Sequence, residues 1–210
     1  MFKDRTAAGQ MLAAKLNSYK NDPGVVLAVP RGGVPVAYYV ARELGFPLDI
    51  VLVKKIGHPD NKEYAIGAAS LTDYVVNPQA GVAQTYIENE LLHIRRRLTE
   101  MRERFLAGRA PADLRGKTVI VVDDGAATGQ TLLSTLAMIK KSRPAKIVVA
   151  VPVASGKAAQ LLIKEADEVV ACLIANDFYG VGAFYDNFNE VTDEEVLFYL
   201  DKLARLRQAS

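Results

Sequence analysis

Short apolar stretches rich in valine and isoleucine alternate along the chain with stretches whose apolar residues recur at helical spacing. The apolar stretches predict buried strands at 25–29, 49–54, 119–122, 146–154 and 168–174. The stretches between them predict helices at about 4–20, 34–45, 84–107, 129–142 and 156–165, with one more at the C-terminus. Strands that alternate with helices form a parallel sheet with helices on both faces. We therefore expect an α/β fold with a mainly parallel sheet in a single domain, residues 1–210.

Two segments depart from this alternation. Residues 64–77 predict two short strands around a turn, which we expect to lie outside the parallel sheet. Residues 57–63 are polar and contain glycine and proline, which favours either a mobile loop that closes over a site or a plain surface loop. The ends of three helices carry clearer signals, because Gly45 and Ser155 suit helix caps and Thr192 with Glu195 fits a capping box.

Composition limits the partners that we expect. The chain has 210 residues, half of them hydrophobic, and a formal net charge of +2, so no strong field attracts it to nucleic acid or to a membrane surface. Cys172 is the only cysteine and lies in an apolar strand, so we expect a buried core thiol and no internal disulfide. The chain contains no secretory signal pattern and no apolar run long enough for a membrane span, which makes the cytoplasm the expected compartment.

The stretch VIVVDDGAATGQTLL combines a buried strand, a turn of small residues and the start of a helix. Three residues separate Gly125 from Gly129, and Gln130 stands where a Walker A loop has lysine. The dinucleotide fingerprint is also missing. The leading N–H groups of a helix lack partners within the helix, however, and they favour an anion. The stretch therefore predicts a site for one phosphate group, with hydroxyls from Thr128 and Thr131.

Two adjacent acids, Asp123 and Asp124, stand before this turn at the expected carboxyl end of a strand. Ligands of open α/β sheets bind at this edge. Ionised carboxylates accept hydrogen bonds, so their partners would be sugar hydroxyls or hydrated Mg²⁺. A phosphate site beside a diol and metal site fits a sugar phosphate such as a 5-phosphoribosyl group. The alternative is that the acids only cap the turn.

A second anion site is predicted at PRGG, after the first strand of the sheet. The planar guanidinium of Arg31 suits phosphate, and Gly32 with Gly33 can expose backbone N–H groups. The helix that follows would point its N-terminus at the same place. An ordinary glycine-rich turn with a solvated arginine remains the alternative.

The strand, the two acids, the short turn and the Thr-Gly-x-Thr that follows resemble the motif with which type I phosphoribosyltransferases bind phosphoribosyl pyrophosphate (PRPP). The match is at Asp123, Asp124, Thr128, Gly129 and Thr131. The resemblance implies that the two acids are catalytic, holding the ribose hydroxyls and, directly or through water, Mg²⁺. It implies a 5-phosphate loop made of Gly125, Ala126, Ala127, Thr128, Gly129, Gln130 and Thr131. It also makes Arg31, Gly32 and Gly33 the pyrophosphate loop, helped by Lys54 or Lys55.

Over most of its length the chain resembles a bacterial group assigned only by prediction to the phosphoribosyltransferases. The resemblance implies the type I fold, with a flap at 55–83 and a hood segment at 176–191 that faces the acceptor. It suggests four acceptor-side residues, Phe178, Tyr179, Tyr185 and Asp186, although these aromatics could equally pack as a cluster against the last helix. The implied reaction transfers 5-phosphoribose from PRPP to a nitrogen acceptor, with Mg²⁺. A PRPP sensor and a sugar-phosphate hydrolase are the alternatives, and a homodimer is expected by resemblance alone.

Overall fold

The computed structural model describes residues 1–106 and 108–208, apart from the side chain of Glu63. Position 107, the predicted last residue of the third helix, and positions 209 and 210 lie outside the described residues. The helices are α1 (Arg5–Lys15), α2 (Gly33–Leu44), α3 (Gln84–Leu106), α4 (Gln130–Ile139), α5 (Gly156–Leu162) and α6 (Asp193–Gln208). The strands are β1 (Gly24–Ala28), β2 (Leu48–Ile50), β3 (Lys54–His58), β4 (Asn61–Ala69), β5 (Tyr74–Val76), β6 (Thr118–Val122), β7 (Lys146–Ser155) and β8 (Glu168–Ala175).

The described chain divides into two compact units. The first contains residues 1–51, 111–129 and 144–208. The second contains the described residues of 52–110 together with 130–143. The predicted flap, 55–83, lies within the second unit, and the predicted hood segment, 176–191, lies within the first.

The first unit is built on a five-stranded sheet in the order β2-β1-β6-β7-β8, and every neighbouring pair is parallel. This confirms the predicted parallel sheet. From β1 the chain moves outward to β2, whereas from β6 it moves the other way to β7 and β8. Right-handed crossovers in opposite directions place α2 and α5 on opposite faces of the sheet. The strand order therefore reverses between β1 and β6, where ligands of open α/β sheets bind.

The caps of the first unit follow the sequence. Gly45 ends α2 in the left-handed region at φ 71°, and the side chain of Ser155 accepts the Ala158 N–H at the start of α5. Thr192 and Glu195 form the reciprocal hydrogen bonds of a capping box at α6. Each residue of β6 is buried, as expected for a central strand covered on both faces.

The second unit contains a three-stranded antiparallel sheet, β3-β4-β5, in contact with α3 and α4. Its core joins Ile56 and Ile66 of the sheet to Ile87, Leu91 and Leu98 of α3. The prediction of two short strands at 64–77 outside the parallel sheet is confirmed by β4 and β5. No α-helix in residues 1–106 or 108–208 has the length and apolar character needed to cross a membrane.

The predicted strand 49–54 was wrong beyond Ile50. Strand β2 ends at Ile50, and Lys54 begins β3, which pairs with β4 in the second unit from Lys54 opposite Ala69 to His58 opposite Asn61. The predicted loop 57–63 was also wrong, because its residues form the end of this hairpin and are ordered by the pairing of two strands. Lys54 and Lys55 therefore do not extend the second strand of the parallel sheet.

Smaller corrections concern helix ends and the cysteine. Helix α1 ends at Lys15 rather than near position 20, and a short 3₁₀ turn at Asn17–Tyr19 replaces its last part. Helix α5 ends at Leu162 rather than near 165. Cys172 is only half-buried, because β8 is the outermost strand of the sheet and has one open side.

Candidate active site

The loops that follow β1 and β6 meet where the strand order reverses. A Cβ atom at Gly32 would lie 2.1 Å from the Oδ2 atom of Asp124. One at Gly33 would lie 2.7 Å from the Val122 carbonyl oxygen and 2.9 Å from the Cα of Asp123. Real Cβ atoms do not approach other atoms so closely, so only glycine allows this contact. The two loops that the sequence marked as anion sites are therefore packed directly against each other.

The two acids lie side by side at the end of β6. The Asp124 N–H donates to Oδ1 of Asp123 at 2.9 Å. Burial raises the pKa of Asp123 well above its ordinary value, and the neighbouring Asp124 carboxylate raises it further. Burial raises the pKa of Asp124 too, although Arg5 opposes the shift. The pair thus carries an electrostatic cost that a cation or hydrogen-bond donors would relieve.

Arg5, the first residue of α1, already supplies such donors to Asp124. Its Nε and Nη2 atoms lie 2.9 and 2.8 Å from the Asp124 Oδ2, and Nη1 donates to the Asn189 carbonyl at 2.7 Å. Its guanidinium carbon lies 3.9 Å from the centre of the Phe188 ring. The sequence did not single out Arg5, since one arginine near the N-terminus belongs to no recognisable motif.

Arg31, in the loop after β1, faces two acids of the C-terminal part of the first unit. It forms an ion pair with Glu190, and its Nη1 atom lies 3.7 Å from a carboxylate oxygen of Asp193. The Arg31 side chain is 41% exposed and that of Glu190 is 77% exposed, so water screens this pair. An anion with more charge than one carboxylate could take the place of Glu190 at low cost.

The predicted 5-phosphate loop is fixed to the end of β7. The Ala126 N–H donates to the Val153 carbonyl at 2.8 Å, and the Ser155 N–H donates to the Ala126 carbonyl at 2.9 Å. Gly129 turns the chain at φ 75°, a conformation that favours glycine. Gln130 and Thr131 follow as the first residues of α4, which belongs to the second unit.

Ser155 connects the cap of α5 to this loop, and replacing it should destabilise the first unit. Its buried hydroxyl accepts the Ala158 N–H at 3.0 Å and donates to the Ala127 carbonyl at 2.7 Å. We expect Ser155→Ala to lower the free energy of unfolding by about 1–2 kcal/mol, as loss of a helix cap does. Urea denaturation measures this, with Ser18→Ala at an exposed position as the control. Equal stability of the two variants would contradict this role of Ser155.

A cleft of about 550 Å³ opens beside these residues in the first unit. The residues that line it include charged groups and apolar groups, namely Arg5, Arg31, Asp124, Val181, Phe188 and Glu190. Val181 also packs against Gly125 of the predicted 5-phosphate loop, because a Cβ atom at Gly125 would lie 2.5 Å from one of its methyl groups. The cleft therefore joins the predicted pyrophosphate loop and Asp124 to an apolar wall from the predicted hood segment, whereas no residue from Gly125 to Thr131 is among its lining residues.

Comparison with known proteins identifies the family. The sequence profile of the family described as "Phosphoribosyl transferase domain" matches residues 3–188. The chain belongs to the phosphoribosyl transferase family. A Mycobacterium tuberculosis protein whose name assigns it provisionally to the phosphoribosyl transferases is 36% identical over 214 residues. That match covers 98% of this chain but only 47% of the relative, so the chain spans about half the length of the curated relatives that it matches.

Two solved structures give the extent of the structural likeness. The crystal structure of TT1426 from Thermus thermophilus has a TM-score of 0.90 and 43% identity, covering 96% of this chain and 98% of that one. A Neisseria gonorrhoeae protein crystallised with bound ppGpp has a TM-score of 0.52 and 20% identity, covering 98% of this chain and 92% of that one. The second likeness shows the fold alone. The type I phosphoribosyltransferase fold predicted from the sequence is confirmed.

Within this family fold, none of the four predicted acceptor-side residues is among those that line the cleft. These residues are Phe178, Tyr179, Tyr185 and Asp186, and the structure describes all four. Phe178 packs on Phe184 with ring centres 5.2 Å apart, whereas Tyr179 is 93% exposed. Tyr185 is buried, and its hydroxyl donates to the Asp124 carbonyl at 2.6 Å. Asp186 is exposed, and its N–H donates to the Phe2 carbonyl at 2.8 Å.

Most of the aromatic residues in the predicted hood segment form a cluster. The alternative interpretation expected such a cluster, but against the last helix. Phe178, Phe184, Tyr185 and Phe188 pack with Phe2, Ala8 and Val153 near the N-terminal helix, rather than against α6. Burial is the main cause that raises the pKa of the Tyr185 hydroxyl, so this hydroxyl stays protonated and remains a donor. Phe188 and Glu190, which do line the cleft, belong to the same segment, but the residue types there gave no reason to prefer them.

Proposed function

We propose that this chain transfers 5-phosphoribose from PRPP to a nitrogen acceptor of the nucleobase class and releases pyrophosphate. The proposal goes beyond family membership, because the substrate and the acceptor are not fixed by the family. One observation supports it most strongly. The acid pair after β6 and the Arg31 loop after β1 are in direct contact at Gly32, at the point where the strand order reverses.

That contact suits a ligand with charge at both ends and a diol between. In the proposal, Asp123 and Asp124 accept hydrogen bonds from the ribose hydroxyls, because ionised carboxylates are acceptors only. The turn from Gly125 to Thr131 binds the 5-phosphate with backbone N–H groups and threonine hydroxyls. The anchoring of Ala126 to Val153 supports this role, since a binding loop held by a strand loses little entropy when the ligand arrives.

The pyrophosphate would lie on the Arg31 side of the cleft. During transfer the bond between C1 and the pyrophosphate oxygen breaks, and both electrons leave with the pyrophosphate. The nitrogen lone pair of the acceptor forms the new bond to C1, and the nitrogen releases its proton. The ribose then resembles an oxocarbenium ion, as in glycoside cleavage. Arg31 stabilises the charge that develops on the leaving group, and the pyrophosphate takes the place of Glu190 in the ion pair with Arg31. Lys54 and Lys55 lie in the second unit, and a role for one of them stays a prediction.

Magnesium is part of the proposal. Asp123 and Asp124 are adjacent carboxylates whose pKa values are raised by burial. Such a pair fits Mg²⁺, which binds proteins through one or two carboxylates together with oxygens of the substrate. Asp123 and Asp124 would hold it, directly or through water. The ion would neutralise part of the charge of PRPP when bound. Arg5 already balances part of the charge of Asp124, so the ion and Arg5 would share that carboxylate.

The acceptor would enter along the apolar wall of the cleft formed by Val181 and Phe188. Arg5 lies over one face of Phe188, and the Tyr185 ring packs against the Phe188 ring with centres 4.9 Å apart. Neither contact defines which nitrogen compound binds. A cytoplasmic location and a homodimer belong to the proposal as expectations from composition and from family resemblance.

The experiment that tests the proposal is a screen for acceptor-dependent release of pyrophosphate from PRPP with Mg²⁺. Purines, pyrimidines and simple amines form the panel, and each reaction has a twin without acceptor. We expect at least one acceptor to release pyrophosphate in step with formation of its ribonucleotide. Binding of PRPP without turnover on any acceptor would favour the sensor. Pyrophosphate release in every tube, with ribose 5-phosphate as the product, would favour the hydrolase.

A further inference from the structure

Arg5 is held in one orientation by contacts with different parts of the first unit. Two of its nitrogen atoms lie within 2.9 Å of a single oxygen of Asp124, and a third donates to the Asn189 carbonyl. Its guanidinium plane lies over Phe188 at 3.9 Å, and only 12% of the side chain is exposed. Arg5 is also the first residue of α1, directly after the helix cap Asp4, so its backbone belongs to a rigid element.

The backbone and the side chain of Asp124 are held by different groups. The Tyr185 hydroxyl donates to the Asp124 carbonyl at 2.6 Å, and the Asp124 N–H donates to Asp123. These bonds fix the main chain without help from Arg5. The carboxylate, in contrast, contacts the guanidinium of Arg5 and the side chain of Asp123, and it lies close against Gly32. Arg5 is therefore in a position to orient the carboxylate, whereas it does not hold the main chain of Asp124.

We propose that Arg5 is a positioning residue, which holds the Asp124 carboxylate in the orientation that receives the ribose of the substrate. This inference rests on the function proposed above. A planar guanidinium can bind a carboxylate, bind a carbonyl and stack on a ring at the same time. A lysine ammonium can replace the charge but not the three directions together. Asn189 and Phe188 hold the guanidinium, so the segment before α6 takes part in orienting Asp124.

The test compares two ligands that use different parts of the site. Mg²⁺–PRPP contains the ribose that Asp124 is proposed to hold, whereas inorganic pyrophosphate titrated without Mg²⁺ is proposed to depend on the Arg31 loop alone. We expect Arg5→Gln to weaken PRPP binding by about tenfold or more, which corresponds to loss of one charged hydrogen bond. Pyrophosphate binding should stay within about twofold, a smaller change than any lost hydrogen bond would give. Arg5→Lys should recover part of the PRPP affinity, because it keeps the charge.

A double-mutant cycle then asks whether Arg5 acts through Asp124. The effect of Arg5→Gln on PRPP affinity should largely disappear in the Asp124→Asn background, because the carboxylate that it orients is gone. Arg42→Gln is the matched control, since Arg42 also stacks on an aromatic ring, Tyr39 at 5.0 Å, but lies outside the cleft lining. That control should bind both ligands like the wild type.

Several outcomes would overturn the inference. PRPP binding by Arg5→Gln at wild-type strength, or tighter, would mean that Arg5 does not position the acid. Equal weakening of PRPP and pyrophosphate would indicate a general structural defect instead. An unchanged effect in the Asp124→Asn background would mean that Arg5 acts elsewhere. Failure of the wild-type protein to bind PRPP is a different result, because it removes the proposed function itself and this inference with it.

Discussion

Replacing Asp124 with asparagine should weaken the binding of PRPP by about 100-fold, the effect of losing two charged hydrogen bonds. The amide keeps the shape of the side chain but loses the negative charge and one acceptor oxygen. It also turns a donor toward the ribose or toward Arg5, whose Nε and Nη2 atoms both lie within 2.9 Å of Oδ2. Calorimetric titration with PRPP and Mg²⁺ measures the change in affinity.

This substitution also leaves the guanidinium of Arg5 without its carboxylate, so stability must be followed separately. Removing one partner of a largely buried ion pair costs folding free energy even when no ligand is present. Urea denaturation of the variant shows whether it is folded under the conditions of the titration. Asp201→Asn, at an exposed position on α6, is the control with the same chemical change. A PRPP affinity of Asp124→Asn within about twofold of the wild-type value would refute the ribose role, because this change is smaller than the loss of one hydrogen bond would cause.

Replacing Gly32 with alanine should weaken PRPP binding by about 100-fold or more while the protein still folds. The added Cβ atom would lie 2.1 Å from the Asp124 Oδ2 and 2.8 Å from its Cγ, so the carboxylate must move away. Because the atoms displaced belong to one short side chain rather than to the backbone, the unfolding free energy should fall by only about 1–3 kcal/mol, as for other overpacked sites. PRPP affinity should fall at least as far as in Asp124→Asn, about 100-fold, since the acid leaves its position and the loop after β1 is disturbed too.

A second glycine of the first unit provides the control for this substitution. Gly156 begins α5, and a Cβ atom there would meet the Asn176 Oδ1 at 3.3 Å, a contact that a small shift can accommodate. Gly156→Ala should therefore bind PRPP like the wild type. Unimpaired PRPP binding by Gly32→Ala would show that the close contact between the two loops has no part in recognising the ligand.

The elements whose signals are local could be predicted from the sequence. The alternation of valine-rich strands with helices indicated the parallel sheet, and Gly45, Ser155 and Thr192 cap the helices that their positions predicted. The acids Asp123 and Asp124 and the glycines Gly32 and Gly33 could be recognised as candidate site residues for the same reason. Each is a short run in which the order of residue types has a direct chemical meaning.

The features that could not be predicted from the sequence depend on contacts between residues that are distant along the chain. The apolar stretch from 49 to 54 contains no residue that breaks a strand, so nothing local marks the end of β2 at Ile50. Only the pairing of Lys54 with Ala69 assigns the next residues to another sheet. Arg5 contacts Asp124, which is 119 positions away in the sequence, and no pattern along the chain predicts that contact.

The predicted hood segment lines part of the cleft, but not through the residues that the sequence suggested. The stretch 176–191 does supply a wall of the cleft, through Val181 and Phe188. The aromatics that stood out in the sequence, Tyr185 among them, instead pack into a cluster with the N-terminal residues. An aromatic side chain suits a buried cluster and a binding wall equally well, so composition alone could not separate the two.

The measurement that tests the central claim most directly is calorimetric titration of the wild-type protein with PRPP in the presence of Mg²⁺, with ribose 5-phosphate titrated in parallel. The account predicts saturable binding of PRPP at one site per chain, and weaker binding of ribose 5-phosphate because it lacks the pyrophosphate that Arg31 is proposed to hold. Absence of PRPP binding, or equal affinity for the two sugar phosphates, would contradict it.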